Sequence, residues 1–268
     1  MKVVVKIGGS LVKNGLPTPL LEDIGEVARS NQVALVHGGG ELVTDVARRL
    51  GKEQSFITSP EGIRSRYTDR ETVEIYTMVM CGMVAKRIVV ALLSHGVKAI
   101  SLSGLDGQLL IGKRKKKLLV LDDRGRKLAI DGGYTGRVEA VNSALLETIM
   151  GNGYLPVISP VAVSESNEPL NIDGDRAAAS VAKGIGAERV VFVTNVDGLM
   201  LDGKVVKKIS LAVAKARLPE IGFGMQKEVI AAIEAIEGGV GEAVICSGLK
   251  AAPLRAALSH SECTVISP

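Results

Sequence analysis

The sequence predicts an α/β fold, a three-layer αβα sandwich whose central sheet is mostly parallel, with β-hairpins added to it. Hydrophobic residues make up 46% of the 268, aromatics only 3%, and there is no tryptophan. The core must therefore be built from Val, Ile, Leu and Ala, the composition of a parallel sheet covered by helices on both faces. Short β-branched runs also alternate with segments whose apolar residues recur at helical spacing, the pattern of βαβ units. The length suits one large α/β domain or two tightly joined lobes. No stretch has linker-like composition, so a division into lobes 1–175 and 176–268 is expected to lie within one continuous domain.

Residues 2–7, rich in valine, read as a buried strand. Leu20, Leu21, Ile24, Val27 and Ala28 then mark one face of a helix, and Val33 to Val36 a second strand. After His37-Gly38-Gly39-Gly40, the residues Leu42, Val43, Val46, Ala47 and Leu50 form another helical face. Thr68 reads as the N-cap of a long helix beginning at Asp69, with Glu71 completing a capping box. From about 97 to 141 the texture changes to short strands with charged or glycine turns, KAISL, QLLIG, KLLVL, KLAID and YTGRVEAV, read as a strand plus projecting hairpins. A helix at 142–151 and a strand-like YLPVISPVAV follow. The second half repeats this grammar with a helix at 175–185, a strand at 189–193, a hairpin around Asp202-Gly203, a helix from Met225 and a strand at 243–246.

The formal net charge is +4, yet the run 113–117, Lys-Arg-Lys-Lys-Lys, supplies five positives, so the rest of the chain sums to −1. Such a block is a solvated turn by default, or a landing patch for an acidic partner. The scarcity of aromatics argues against a base-stacking nucleic-acid binder. Cys81, Cys246 and Cys263 are odd in number and lack metal-ligand or CxxC spacing, so they read as buried thiols in a reducing cytosol, and no metal site is expected. No apolar run approaches membrane-spanning length, and the first is broken at Lys6, unlike a signal peptide. The expectation is a soluble cytoplasmic protein with no membrane or nucleic-acid partner.

One apparent motif is rejected. GQLLIGKR at 107–114 satisfies G-x-x-x-x-G-K, but Arg114 stands where a P-loop needs Ser or Thr for magnesium, and its interior is a strand pattern. No G-x-G-x-x-G opens a helix after a strand either. A scattered set remains: Lys6-Ile7-Gly8-Gly9-Ser10, His37-Gly38-Gly39-Gly40, Gly62-Ile63-Arg64, Asn171-Ile172-Asp173-Gly174-Asp175, Thr194-Asn195-Val196-Asp197-Gly198 and Gly224-Met225-Gln226-Lys227. Glycines after a strand let a main chain turn and let an anion approach its N–H groups. Each piece also has a plain structural reading: a tight turn, an edge lysine, a loop arginine, or a helix cap at Asn171 and Asp175.

In this order the pieces resemble the amino acid kinase family over essentially the whole chain. SPEGIRSRYTDRETVEIYTMVM, SLSGLDG, DGGYTGRVEAVN and LNIDGDRAAA are similar to its branch acting on amino acids carried by the small acidic protein LysW. N-acetylglutamate kinases have a shorter stretch after the Gly-x-Arg, where Ser65-Arg66 adds length here.

The resemblance implies ATP and Mg2+ as cofactors, LysW with its attached amino acid as partner, and a homodimer built on the long helix after Thr68. It places acceptor binding and dimerisation in 1–175 and ATP in 176–268. Lys6 would stabilise the transferred phosphoryl group and Asp175 would orient the active-site lysines. Gly38, Gly39, Arg64 and Asn171 would hold the acceptor; Gly8, Gly9, Ser10, Thr194, Asn195, Asp197, Gly198 and Met225 would hold ATP. A departure concerns Gly-Met-x-x-Lys: here Lys227 comes one residue early and Glu228 takes the lysine's place, leaving Lys227, or Lys207 or Lys208 of the hairpin, for that catalytic role. No catalytic base is expected, because a side-chain carboxyl with a pKa of about 4.3 is already ionised at neutral pH. The site's task is to bring two anions together. An N-acetylglutamate kinase using free substrate and a catalytically silent ATP-binding sensor are the competing readings.

Overall fold

The computed structural model describes residues 1–122 and 124–268. An eight-stranded sheet forms its centre, in the spatial order Lys208–Ser210, Cys263–Ser267, Glu242–Ser247, Arg189–Thr194, Lys2–Ile7, Gln32–His37, Leu155–Ser159, Ala99–Ser103. Every neighbouring pair is parallel except Glu242–Ser247 with Cys263–Ser267. The sheet is sandwiched by helices, as the composition requires. Val3, Val5, Ile7, Leu35, Val191 and Val193 pack on one face against Leu20 and Ile24 of Thr18–Ser30, and against Tyr76, Ile88 and Leu254. Val4, Val36 and Phe192 pack on the other, against Leu146 of Ser143–Gly151, Ala178 and Val181 of Gly174–Gly184, and Val229 and Ile233 of Phe223–Glu237. Alternating side chains thus feed two cores, which is why these strands read as continuous apolar runs rather than as an in–out pattern.

Beside this body lies a four-stranded sheet of Pro169–Asn171, Val161–Ser164, Leu110–Arg114 and Gly136–Val141. The rejected P-loop therefore folds as a strand. Among the described residues there are also three two-stranded pairings: Phe56–Thr58 with Arg64–Arg66, Lys117–Leu121 with Lys127–Asp131, and Met200–Leu201 with Lys204–Val205.

Two details correct the sequence reading. The long helix is capped by Asp69, not Thr68: Asp69 accepts from the Thr72 N–H at 2.7 Å, and the helix starts at Arg70. Thr68 is buried and serves instead as the acceptor for Asn171 Nδ2 at 2.9 Å. The helical run Arg70–Leu93 is also long and apolar enough to cross a membrane by length and composition, contrary to expectation. Half of it is buried against the sheet, as in a core helix. Its middle, Met78–Val84, is wound as π-helix.

The fold positions the site through register. Lys2–Ile7 and Gln32–His37 pair with Ile7 opposite His37, so the two glycine turns leave the sheet side by side. A Cβ on Gly38 would stand 2.7 Å from the Gly9 nitrogen, and one on Gly9 would stand 3.1 Å from the Gly39 nitrogen. This crevice, at the carboxyl ends of parallel strands, is where α/β sheets bind ligands.

Candidate active site

A cavity of about 1270 Å³ opens over these strand ends. Gly39 has φ +146, and a Cβ there would meet Met80 Sδ at 3.2 Å. A side chain at that position is excluded twice over, by the backbone conformation and by the π-helical segment behind it. The amides of Gly8 and Gly38 are engaged by the sheet, donating to Val193 O and Ile7 O at 2.8 Å each. Gly8 therefore contributes close backbone approach and not a free donor. Gly9 and Gly40 open the helices Gly9–Lys13 and Gly40–Arg49, where first-turn N–H groups have no intrahelical acceptor.

Lys6 occupies a central strand, which removes its reading as an edge lysine. Its side chain is 8% exposed and its Nζ lies 2.6 Å from Asp175 Oδ1 and 3.9 Å from Glu228 Oε1. Burial alone would lower its pKa, but Asp175 and Glu228 together outweigh this and hold the ammonium above its ordinary value. Burial pushes the Asp175 carboxyl up and Lys6 opposes that push. At this separation the two form an ion pair. Asp173, just before, caps Gly174–Gly184 by accepting from the Asp175 and Arg176 N–H groups at 3.1 and 3.2 Å. The cap belongs to Asp173, leaving Asp175 to face the cavity.

Arg64 and Asn171 also line the cavity. Arg64 stacks over Phe56, 4.6 Å from the ring centroid, and Asn171 is oriented by Thr68. Arg66, two residues on and on the same side of its strand, donates to Gly40 O at 2.7 Å and Thr44 Oγ1 at 3.0 Å. It ties the hairpin to the glycine helix. His37 is structural: its ring bonds Ser159 Oγ and Gly38 O, each at 2.9 Å, and burial lowers its pKa to about 4, so it is neutral.

From the second half, Thr194 and Asn195 line the cavity, and Thr194 Oγ1 donates to Asn195 Oδ1 at 3.3 Å. Ser10 lines it too. Asp197, Gly198 and Met225 do not: Asp197 pairs with Lys250 at 3.4 Å, Gly198 abuts Thr264 and Met225 packs on the core. Lys227 reaches the rim, 3.8 Å from Asp173 Oδ2 and donating to Arg64 O at 3.2 Å. Of the catalytic candidates, Lys6 and Asp175 are in contact, while the inner place beside them belongs to Glu228.

The basic run 113–117 is not one patch. Arg114 pairs with Glu168 at 3.3 Å and stacks on Tyr134, Lys115 faces the cavity half-buried, and Lys113, Lys116 and Lys117 are exposed. Desolvation, followed by the nearby Arg176, lowers the pKa of Lys115. Cys246 and Cys263 are buried as expected, whereas Cys81 is only half-buried. Arg66, Lys115 and Arg176 are cavity cations that sequence reasoning passed over. The only signal for Arg66 was its place two residues after Arg64, and Lys115 was hidden within a run of like charge.

A protein of Nitrosopumilus maritimus (strain SCM1), provisionally named LysW-aminoadipate/LysW-glutamate kinase, is 52% identical over 264 residues, 98% of each chain. The LysW-aminoadipate/LysW-glutamate kinase of Metallosphaera sedula is 45% identical over 258 residues, 96% of this chain and 97% of the other. Among solved structures, N-acetylglutamate synthase from Neisseria gonorrhoeae superposes with a TM-score of 0.81 at 24% identity, covering 100% of this chain and 59% of that one. Carbamate kinase from Giardia lamblia gives 0.69 at 15%, covering 99% and 98%, so these two share the fold. Residues 1–247 match the model of the amino acid kinase family, and the chain belongs to that family.

Proposed function

We propose that the chain is an ATP-dependent kinase that forms an acyl phosphate on the side-chain carboxylate of 2-aminoadipate or glutamate carried on LysW, in lysine or arginine biosynthesis in the cytoplasm. The observation that carries the reading is the 45% identity with the Metallosphaera kinase over nearly the whole of both chains. The geometry supports it: a buried ammonium and two glycine turns converge on one cavity, where repulsion between two anionic reactants must be overcome. In this reading the acceptor lies in 1–175, between Arg64, Asn171 and the Gly38-Gly39 turn. ATP lies towards Gly8, Gly9, Ser10, Thr194 and Asn195, with Asp197, Gly198 and Met225 beyond the cavity wall. Lys227 would meet the phosphates from the rim.

Among the described residues no group of three His, Cys, Asp or Glu side chains could hold a metal ion. The residues present therefore suit Mg2+ that arrives on the nucleotide's phosphates, keeping most of its waters, better than a resident ion. Carrying the amino acid by its amine also has a physical purpose. A free amine could attack the acyl phosphate within the same molecule, where effective molarity is high. The exposed Lys113, Lys116 and Lys117 would face the acidic carrier.

ATP, Mg2+, carrier-linked aminoadipate and hydroxylamine are expected to yield hydroxamate. Product with free N-acetylglutamate alone would make the protein an N-acetylglutamate kinase. Nucleotide binding without product from either acceptor would make it a silent sensor. The chain is further proposed to be a homodimer through the apolar side chains that Met78, Val90 and Leu93 leave exposed on Arg70–Leu93, and Ile100 on the adjoining edge strand. Sedimentation is expected to give the dimer mass, and a monomer mass at micromolar concentration would count against it.

A further inference from the structure

The inner end of the cavity holds three titratable groups, not two. On the helix Phe223–Glu237 one residue is a rotation of about 100°, so Lys227 and Glu228 diverge. Lys227 is turned to the rim, and the Glu228 carboxylate is turned inward. Its side chain is 12% exposed, Oε1 lies 3.9 Å from Lys6 Nζ, and Oε2 is buried without a hydrogen-bond partner among the described residues.

The charged groups around it come from three elements. Lys6 projects from Lys2–Ile7, while Asp173 and Asp175 stand at the start of Gly174–Gly184, followed by Arg176, which Glu234 holds at 2.6 Å. Lys227 and Glu234 share its own helix. With both inner carboxylates ionised against one ammonium, the end of the cavity carries a net charge of −1, facing an incoming phosphoryl group that is itself anionic. With one proton on Glu228 the net charge is zero, and the unpartnered oxygen side becomes an O–H donor. Burial and then the charge of Asp175 push the Glu228 carboxyl up, and Lys6 only partly opposes them. A bound polyphosphate adds negative charge and pushes it further the same way.

We propose that Glu228 is a positioning residue that works as the neutral acid: protonated, it leaves Lys6 shared with Asp175 alone and directed at the transferred phosphoryl group, and ionised, it draws the ammonium back. This rests on the kinase reading above. The productive form is protonated, so kcat falls as pH rises through the Glu228 pKa of the substrate complex.

The test is kcat against pH from 6 to 9 by hydroxamate formation, for wild type and for E228Q, with melting temperatures recorded for both. Wild type is expected to lose rate on the alkaline side, approaching tenfold per pH unit. E228Q, neutral at every pH, is expected to keep the acid-side rate within a few-fold and to remain flat. E228M is equally neutral, though it lacks the donor, and supplies the same pH readout if E228Q does not fold. A flat wild-type profile would overturn the proposal without any variant, as would an alkaline limb unchanged in the folded neutral variants, or their inactivity at all pH values. Failure of the kinase reading looks different: wild type would give no hydroxamate at any pH.

Discussion

Lys6→Met is expected to lower kcat by about a hundredfold to a thousandfold, the range seen when one charge-stabilising donor is removed from a transferring group. The KM for ATP should change much less if Lys6 acts on the transferring phosphoryl group and not on the bound nucleotide. The substitution has a second, separable effect, because Asp175 then sits buried with no ammonium at 2.6 Å. Breaking a buried pair by removing one partner costs about 3–5 kcal/mol unless the orphan takes up a proton. Burial already pushes this carboxyl up, and loss of Lys6 removes the main opposing influence. A carboxyl whose folded pKa exceeds its unfolded value binds more protons folded than unfolded, so its contribution to stability is lost as pH rises through the folded pKa. The melting temperature of the variant should therefore fall, as pH rises above the ordinary carboxylate range, more steeply than that of wild type. A full-rate variant with an unchanged melting profile would remove Lys6 from the centre of the chemistry.

Gly38→Ala is the second large effect. The added methyl would sit 2.7 Å from the Gly9 nitrogen and 3.1 Å from its Cα. Both are backbone atoms of a helix start, so no side-chain rotation relieves the contact and the two turns must separate. Overpacking of this kind costs about 1–3 kcal/mol. The larger consequence is positional: a shift of about 1 Å in a reacting group can cost about a hundredfold in rate. Gly40→Ala is the matched control, because its methyl would meet only Arg66 Nη2 at 3.8 Å. Comparison of kcat/KM and thermal melting should show a marked loss for the first and little for the second. Equal behaviour of the two would mean that the contact between the turns does not set the geometry of the site.

The parts of this arrangement legible in the sequence are those that depend on local pattern. Val3, Val4, Val5 and Ile7 announce a buried strand, and the glycines after Ile7 and His37 announce turns, because both signals reside in consecutive residues. Lys6 and Asp175 were legible only as members of a family pattern, since nothing local brings together groups 169 positions apart. The pairing of Lys2–Ile7 with Arg189–Thr194 does so. The cap was misplaced by one residue because Thr68 and Asp69 are both good caps, and tertiary context gave Thr68 to Asn171. The π-helical turn at Met78–Val84 has no local signature; its Met80 and Val84 side chains stand where a Cβ on Gly39 would meet them, a contact between distant parts of the chain. Arg66 and Lys115 were passed over for a related reason: which of several neighbouring cations enters a cavity depends on the twist of short strands that sequence does not specify.

The strand that bears Lys6 is bonded on one edge to Gln32–His37 and on the other to Arg189–Thr194. Each half of the chain is thus stitched to the same ribbon, and no seam runs between them along which they could swing apart without rupturing a parallel ladder. Phe56, Ile57, Arg64 and Arg66 of one hairpin and Leu118 and Leu119 of another line the cavity from outside that ladder.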